Sequence, residues 1–317
     1  MKLTELFTNF AITSLKTTLT ILGSGSALPT RSNFPSSQIL EMRDKQFMID
    51  CGEGTQIRMR QMNVKTTRLG HIFISHLHGD HVFGLIGLIS SFGMLNRTAD
   101  LHIHAPAALE TILQPQLNFF CEELPFRVIF HVVNPSEHNL IFEDRSVMVY
   151  SIPLRHRVPT CGFLFEEKPS DRHIVRDMID FYQIPVWRIP KIKQGEDFVT
   201  ESGVVVPNHI LTKASEPPKR YAYCSDTAYS EKIIPYIEGV DCLYHEATFM
   251  NDEIVRAGKT LHSTAEQAAT IAFKAQVKKL IIGHYSARYN DKKGLLLEAK
   301  TVFENTFLAE DMGVYEI

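Results

Sequence analysis

The segment His76-Leu77-His78-Gly79-Asp80-His81 constrains this chain more than any other feature. Three imidazoles and a carboxylate fall within six residues, directly after the apolar run 72–74 and Ser75. A helix would distribute these side chains around its circumference, whereas a tight loop at a strand end can bring them to one point. Gly79 permits the backbone bend that such convergence needs. Imidazole with carboxylate is a donor set suited to zinc, and the presence of Asp suits hydrolytic chemistry better than a purely structural site. The bland alternative, a hydrophilic loop with chance histidines, does not account for four ligand groups at this density.

Six residues cannot enclose a catalytic metal unaided, so further donors must come from elsewhere in the chain. Apolar runs at 19–22, 47–49, 72–74, 147–150, 221–224, 243–244 and 280–282 end in turn residues and suit buried strands. Helical patterns at 83–95, 107–121, 264–275 and 294–303 alternate with them, which argues for an α/β protein. His156, Asp226 and His284 each follow one of these strand patterns, and functional groups in α/β folds gather at the carboxyl ends of strands. Taken singly, each is as ordinary as any polar turn residue; their shared position makes them candidate ligands. The set then holds five His and two Asp. Two zinc ions sharing one bridging Asp use it without remainder, and such a pair suits phosphodiester hydrolysis.

Composition narrows the partners. The 317 residues are 44% hydrophobic and 22% charged, which excludes a mostly disordered chain. Lys and Arg total 33 against 36 Asp and Glu, so a nucleic-acid partner must be met by a local basic patch rather than by bulk charge. The five cysteines form no C-x-x-C pair, and reduced thiols in a cytoplasmic protein explain them. No apolar run reaches the ~18–20 residues that span a bilayer. Residues 1–17 lack a secretory cleavage pattern and predict a short amphipathic helix with Leu3, Leu6, Phe7 and Phe10 on one face. Residues 166–220 carry six of the fifteen prolines, with nine cations and nine anions, and read as an inserted subdomain or protruding loop system rather than core. The cluster Arg188, Lys191 and Lys193 in that stretch is either a contact surface or a solvated charged face.

With these residues assembled, the sequence resembles the metallo-β-lactamase superfamily and, within it, the ribonuclease Z family of tRNA 3′-processing endonucleases. His76 to His81 matches the H-x-H-x-D-H signature of the superfamily. Leu22-Gly23-Ser24-Gly25-Ser26 is similar to the opening strand and turn, and Asp50-Cys51-Gly52-Glu53-Gly54-Thr55-Gln56 to the D-C-G-E-[AG]-T-Q segment. Ser225-Asp226-Thr227, His245-Glu246-Ala247-Thr248, His262-Ser263-Thr264 and His284-Tyr285-Ser286-Ala287-Arg288-Tyr289 follow in family order.

The resemblance implies a single metallo-β-lactamase-type domain over 1–317, an αββα sandwich of two mixed sheets with outer helices, from which 166–220 projects as an exosite arm. It implies two Zn2+ per chain, one held by His76, His78, His156 and Asp226, the other by Asp80, His81, His284 and the same Asp226. Asp80 would also accept a proton from the attacking water. His262 would protonate the departing 3′-oxygen, with Glu246 orienting it. The competing reading of His262 is a polar residue ahead of a helix capped by Ser263 or Thr264. His245 is expected to be structural rather than a ligand. The substrate would be precursor tRNA, cut to leave a tRNA 3′-hydroxyl and a 5′-phosphate on the trailer, and the enzyme a cytoplasmic homodimer in which one subunit's arm holds tRNA for the other's active site.

Two segments depart from the family pattern. The P-x-K-x-R-N segment is here Pro29-Thr30-Arg31-Ser32-Asn33-Phe34, keeping a cation at Arg31 but losing the Arg-Asn pair. The I-P-P-G-P segment is Ile184-Pro185-Val186-Trp187-Arg188, which still runs into Lys191-Ile192-Lys193. Arg31, Arg188, Lys191 and Lys193 are therefore the candidate substrate-binding residues. The alternative functions are a hydrolase of the same fold acting on small phosphodiesters or other esters, and a non-catalytic RNA-binding protein. The second has no reason to keep seven ligand groups. A redox di-iron centre is disfavoured because His78 stands where those relatives carry a carboxylate.

Overall fold

Alternation of side chains along the strands sorts the apolar residues into three layers. Strand Thr18–Gly23 sends Leu19 and Ile21 to one face and Leu22 to the other, and strand Lys45–Cys51 sends Phe47 and Ile49 one way and Met48 the other. In the same manner Phe163, Phe165, Tyr221 and Tyr223 face one core while Leu164, Ala222 and Cys224 face another. The first members of these sets meet between two sheets, and the others meet helices. The result is the four-layered αββα sandwich of the metallo-β-lactamase fold. The structure, a computed structural model, describes residues 16–31 and 33–317, so Leu3, Leu6, Phe7 and Phe10 of the expected N-terminal helix lie outside the described residues.

The first sheet runs Val314–Glu316, Thr18–Gly23, Ser37–Met42, Lys45–Cys51, Leu69–Phe73, Leu101–Ala105, Val128–Val132 from edge to edge. Its last four strands are mutually parallel and its others antiparallel. The second sheet runs Thr306–Leu308, Leu280–Gly283, Cys242–Glu246, Arg220–Cys224, Cys161–Glu167, Val147–Pro153, Leu140–Glu143. Helices Leu85–Met94 and Ala108–Phe120 cover the outer face of the first sheet through Leu85, Leu88, Leu109 and Leu113. Helices Ala265–Lys274 and Lys293–Lys300 cover the second through Ala268, Ala272 and Leu295.

Contacts divide the chain into two compact units, one of the described residues up to Glu166 together with Lys219–Ile317, the other Glu167–Pro218. The smaller unit is not a bare loop system. It has its own core of Ile184, Ile192, Phe198, Val206 and Leu211, and buried Asn208 ties it by donating to the carbonyls of Ile192 at 2.6 Å and Glu196 at 2.8 Å.

The helix expected over 83–95 is observed as Leu85–Met94, preceded by a separate helical turn at Gly79–Val82. Gly84 separates them, donating its N–H to the Cys51 carbonyl at 2.9 Å. A Cβ there would lie 2.1 Å from the Gly52 carbonyl oxygen, so the helix can approach the strand end only through a glycine. This contact fixes the His76–His81 loop against the strand that ends at Cys51. Gly84→Ala should therefore cost at least about 1–3 kcal/mol, read as a lower urea midpoint at unchanged m-value. By contrast, Gly258 sits in helix Ile254–Thr260 with nothing near its Cβ direction, and Gly258→Ala should be neutral or stabilise by about 0.5–1 kcal/mol.

Candidate metal centre

The seven candidate ligands, with Asp50 and Glu246, leave the carboxyl ends of strands. Asp50 is the penultimate residue of Lys45–Cys51, His76–His81 follow Leu69–Phe73, and His156 follows Val147–Pro153. Asp226, Glu246 and His284 follow or end Arg220–Cys224, Cys242–Glu246 and Leu280–Gly283. Asp50, Asp226 and His284 have φ of 56°, 59° and 60°, left-handed values that turn the chain abruptly at the strand end. Such conformations cost of order 1–3 kcal/mol and persist where surrounding bonds over-determine them. Here those bonds are the ones that hold the imidazoles.

Each histidine is tied at its outer nitrogen. His81 Nδ1 donates to Asp50 Oδ2 at 2.7 Å, and His156 Nδ1 donates to the Leu261 carbonyl at 3.0 Å. Ser75 spends its hydroxyl proton on Asp50, so His76 Nδ1 is the donor in its 3.0 Å contact with Ser75 Oγ. By the same logic Thr248 donates to Glu246, and His284 Nδ1 donates to Thr248 Oγ1 at 3.0 Å. Four Nε2 lone pairs are thereby left facing inward. Those of His81, His156 and His284 are buried without a hydrogen-bond partner. Nδ1 of His78 joins them, 2.9 Å from His76 Nε2.

Asp226 stands among these nitrogens. Its Oδ1 lies 3.2 Å from His81 Nε2 and 3.1 Å from His284 Nε2, while its Oδ2 lies 3.7 Å from both His76 Nε2 and His156 Nε2. Donors about 2.0–2.1 Å from a tetrahedral ion are roughly 3.3–3.4 Å apart, which is the spacing observed. The ligand atoms of His76, His78, His156 and Asp226 lie within 4.8 Å of one another, as do those of Asp80, His81 and His284. The structure thus brings together all seven candidate ligands. Sequence separations of up to 208 residues, from His76 to His284, are closed by the fold.

The electrostatics fit a divalent cation. Burial holds the imidazoles of His76, His78 and His156 below their ordinary pKa, which keeps them neutral and able to donate lone pairs. Around His81 burial acts in the same direction, but Asp226, Asp50 and Asp80 together raise its pKa well above the usual range. Burial works to raise the Asp226 pKa, yet His284, His81 and His76 hold it well below the ordinary carboxylate value. Three carboxylates around one buried imidazole concentrate negative charge that a divalent cation neutralises.

His262 faces the same cavity, with ring centroids of His156 and His284 at 5.0 and 5.4 Å. Its Nδ1 donates to Glu246 Oε1 at 2.9 Å. Burial lowers the pKa of this imidazole, but the charge and hydrogen bond of Glu246 outweigh it and raise the pKa to about 9. Glu246 is fully buried and also accepts from Thr227 N at 2.6 Å, Thr248 Oγ1 at 2.6 Å and Ser263 N at 3.1 Å. The helix that follows is capped by Thr264, one of the two caps expected, in a capping box with Gln267, and His262 just before it bonds Glu246 and faces the cavity. The cavity measures about 490 Å³ and is also lined by Leu28, Phe83, Arg157 and Asp80, whose Oδ2 accepts the Ala27 N–H at 2.8 Å.

Other candidates lie apart from this cluster. Arg31 lines a separate pocket. Arg188, Lys191 and Lys193 belong to the Glu167–Pro218 unit, where Arg188 lies 5.5 Å from the Trp187 ring and 3.9 Å from Glu196. His245 is buried and bonds the Glu246 carbonyl at 2.8 Å, outside every ligand group.

Sequence reasoning missed the support around the ligands, above all Asp50. Its carboxylate is wholly buried and accepts from Ser75 N at 2.8 Å, Ser75 Oγ at 2.9 Å, His81 Nδ1 at 2.7 Å and Tyr223 Oη at 2.7 Å. An acidic residue ending an apolar strand, on the same side as the histidine loop, was the available signal.

Comparison with known proteins gives two kinds of likeness. Residues 17–179 match the family model described as anti-Pycsar protein Apyc1. Ribonuclease Z of Parabacteroides distasonis is 58% identical over 293 residues, covering 92% of this chain and 96% of that protein. Ribonuclease Z of Porphyromonas gingivalis strain ATCC 33277 is 53% identical, covering 92% and 96%. Among solved structures, human tRNase Z, short form, superposes with a TM-score of 0.69 at 24% identity, covering 95% of this chain and 99% of that chain. YhfI of Bacillus subtilis, a metallo-β-lactamase fold protein, gives 0.66 at 17% identity, covering 95% and 100%.

Because Asp50 fixes the tautomer and direction of His81 without entering the ligand set, Asp50→Ala should weaken divalent-cation binding about 10–100-fold. Metal content after competition with a graded chelator series measures this.

Proposed function

The chain belongs to the ribonuclease Z family and, by residues 17–179, to the family of the Apyc1 model, and from this premise we propose how its own residues carry out tRNA 3′ processing. It is a metal-dependent tRNA 3′-processing endonuclease. The Apyc1 match includes His76, His78, Asp80, His81 and His156 and stops before Asp226, Glu246, His262 and His284. The Glu246–His262 pair beside the seven ligand groups is the observation that carries the reading, since it adds a proton donor to a metal centre.

His76, His78, His156 and Asp226 would hold one cation, and Asp80, His81 and His284 with the shared Asp226 a second. The imidazole and carboxylate donors favour zinc. When bound, the pair supplies Lewis-acid stabilisation of the phosphodiester and activation of water at neutral pH. The remaining tasks fall to the protein. Asp80 presents Oδ2 to the cavity, steadied by the Ala27 N–H, and takes the proton of the attacking water. Glu246 keeps His262 protonated, and its Nε2–H is then available to the departing 3′-oxygen of the tRNA. Asp50 and Thr248 hold the ligand imidazoles in the tautomer that points their lone pairs inward.

The proposal extends to a tRNA 3′-hydroxyl and a trailer 5′-phosphate as products, and to Arg188, Lys191 and Lys193 as phosphate contacts that make binding salt-dependent. It extends also to a cytoplasmic homodimer, supported by the family likeness and by five free cysteines. No helix among the described residues is long and apolar enough to cross a membrane.

Incubation of the protein with a 3′-extended tRNA, with and without chelator, should give a chelator-sensitive cut at or next to the discriminator nucleotide. Elemental analysis should find close to two zinc ions per chain. Asp226→Ala should abolish cleavage while tRNA binding largely survives; retained cleavage removes Asp226 from its bridging role. His262→Ala should lower kcat on precursor tRNA about 10²–10⁴-fold. The loss should be far smaller on a p-nitrophenyl phosphodiester, whose leaving group needs no proton.

A further inference from the structure

Beside the metal-site cavity lies a second, more enclosed pocket of about 230 Å³, and Leu28 lines both. Its walls continue two segments that carry site groups. One is the loop after strand Thr18–Gly23, which supplies Ala27 N–H to Asp80, and the other is the chain following His284. Arg31, Asn33, Tyr285, Ser286, Tyr289 and Lys292 line it, so two cations face the space and, among the described residues, no carboxylate does.

Arg31 is exposed, and the opposite, Lys292 side of the pocket is held by hydrogen bonds. Lys292 is half-buried, donates one of its three ammonium hydrogens to Asn33 Oδ1 at 2.6 Å, and lies 5.7 Å over the Tyr285 ring. Asn33 is itself pinned, donating from Nδ2 to Ser24 Oγ at 2.9 Å, and Phe34 N–H donates to Asp311 Oδ2 at 2.7 Å. Asn33, one of the two residues that depart from the family's Arg-Asn pair, thus forms part of this wall. Lys292 caps helix Lys293–Lys300 and Lys293 begins it, placing two cations where the helix dipole is already positive. Asp291 Oδ1 accepts the Lys293 N–H at 2.9 Å and meets part of that positive charge from outside the pocket lining.

We propose that this pocket is a phosphate subsite for the RNA strand next to the cleaved bond, receiving a backbone phosphodiester on Arg31 and Lys292. The volume is below the roughly 300–1,000 Å³ of drug-sized ligand pockets and suits one phosphate with its sugar. The inference rests on the RNA-cleaving reading of the neighbouring centre and adds to it where the strand is held.

The test compares wild type, Lys292→Ala and Lys292→Arg, all zinc-loaded, on a 3′-extended tRNA and on bis(p-nitrophenyl) phosphate, which has no flanking nucleotide. Lys292→Ala should lower kcat/KM for the tRNA about tenfold more than for the small diester, mainly through KM. It should also flatten the salt dependence of tRNA binding by about 0.7 in log–log slope, and Lys292→Arg should restore most of both. Equal losses on the two substrates would assign Lys292 to holding Asn33 and overturn the subsite, as would an unchanged KM for tRNA. A wild-type enzyme that turns over the small diester but leaves the tRNA intact would instead overturn the RNA-cleaving reading, and the subsite with it.

Discussion

Two carboxylates removed from water, Asp50 at the end of a strand in the first sheet and Glu246 at the end of one in the second, hold the rest of the site in place. Each accepts four hydrogen bonds, one of them from an imidazole, His81 for Asp50 and His262 for Glu246. A buried carboxylate is costly unless its lone pairs are filled, and here every donor comes from a fixed strand end, loop or helix start. The two residues have separate consequences. Asp50 fixes His81 with its lone pair inward, and Glu246 keeps His262 charged. The two imidazoles differ in what else surrounds them: His81 lies among three carboxylates, and His262 opens on the cavity.

The sandwich supplies the geometry that these bonds need. Parallel strands on both sheets deliver their carboxyl ends to one edge, and the left-handed turns at Asp50, Asp226 and His284 re-aim side chains there. Gly84 lets the histidine loop press against the Cys51–Gly52 backbone, so the loop and Asp50 are referenced to the same strand. Asp226 then sits with one oxygen toward His81 and His284 and the other toward His76 and His156. The nitrogens without partners are the measure of this design: polar atoms that a folded protein ordinarily satisfies are left open toward a shared point.

Departures from the family pattern fall outside the candidate ligand groups. Asn33 and Phe34 are absorbed into bonds with Ser24, Lys292 and Asp311, and Phe34 lies 4.0 Å from the Arg58 guanidinium. The ligand groups show no such change. The Glu167–Pro218 unit carries its own small core, which gives Arg188, Lys191 and Lys193 an ordered platform despite a proline-rich composition.

The sequence alone singled out the candidate ligands that the fold brings together, because imidazoles and carboxylates packed into six residues, or placed just after apolar runs, have few ordinary explanations. It determined the layered α/β class as well, since the strand and helix periods are local properties. It did not reveal Asp50, Ser75, Tyr223 or Thr248 as supports, because a hydrogen bond between residues 173 positions apart, such as Tyr223 to Asp50, leaves no local trace. Nor could it show why position 84 must be a glycine, which depends on a backbone contact with Gly52. Only the tertiary structure decided which nitrogen of each histidine points inward, and it did so through outer hydrogen bonds to groups brought near by both sheets.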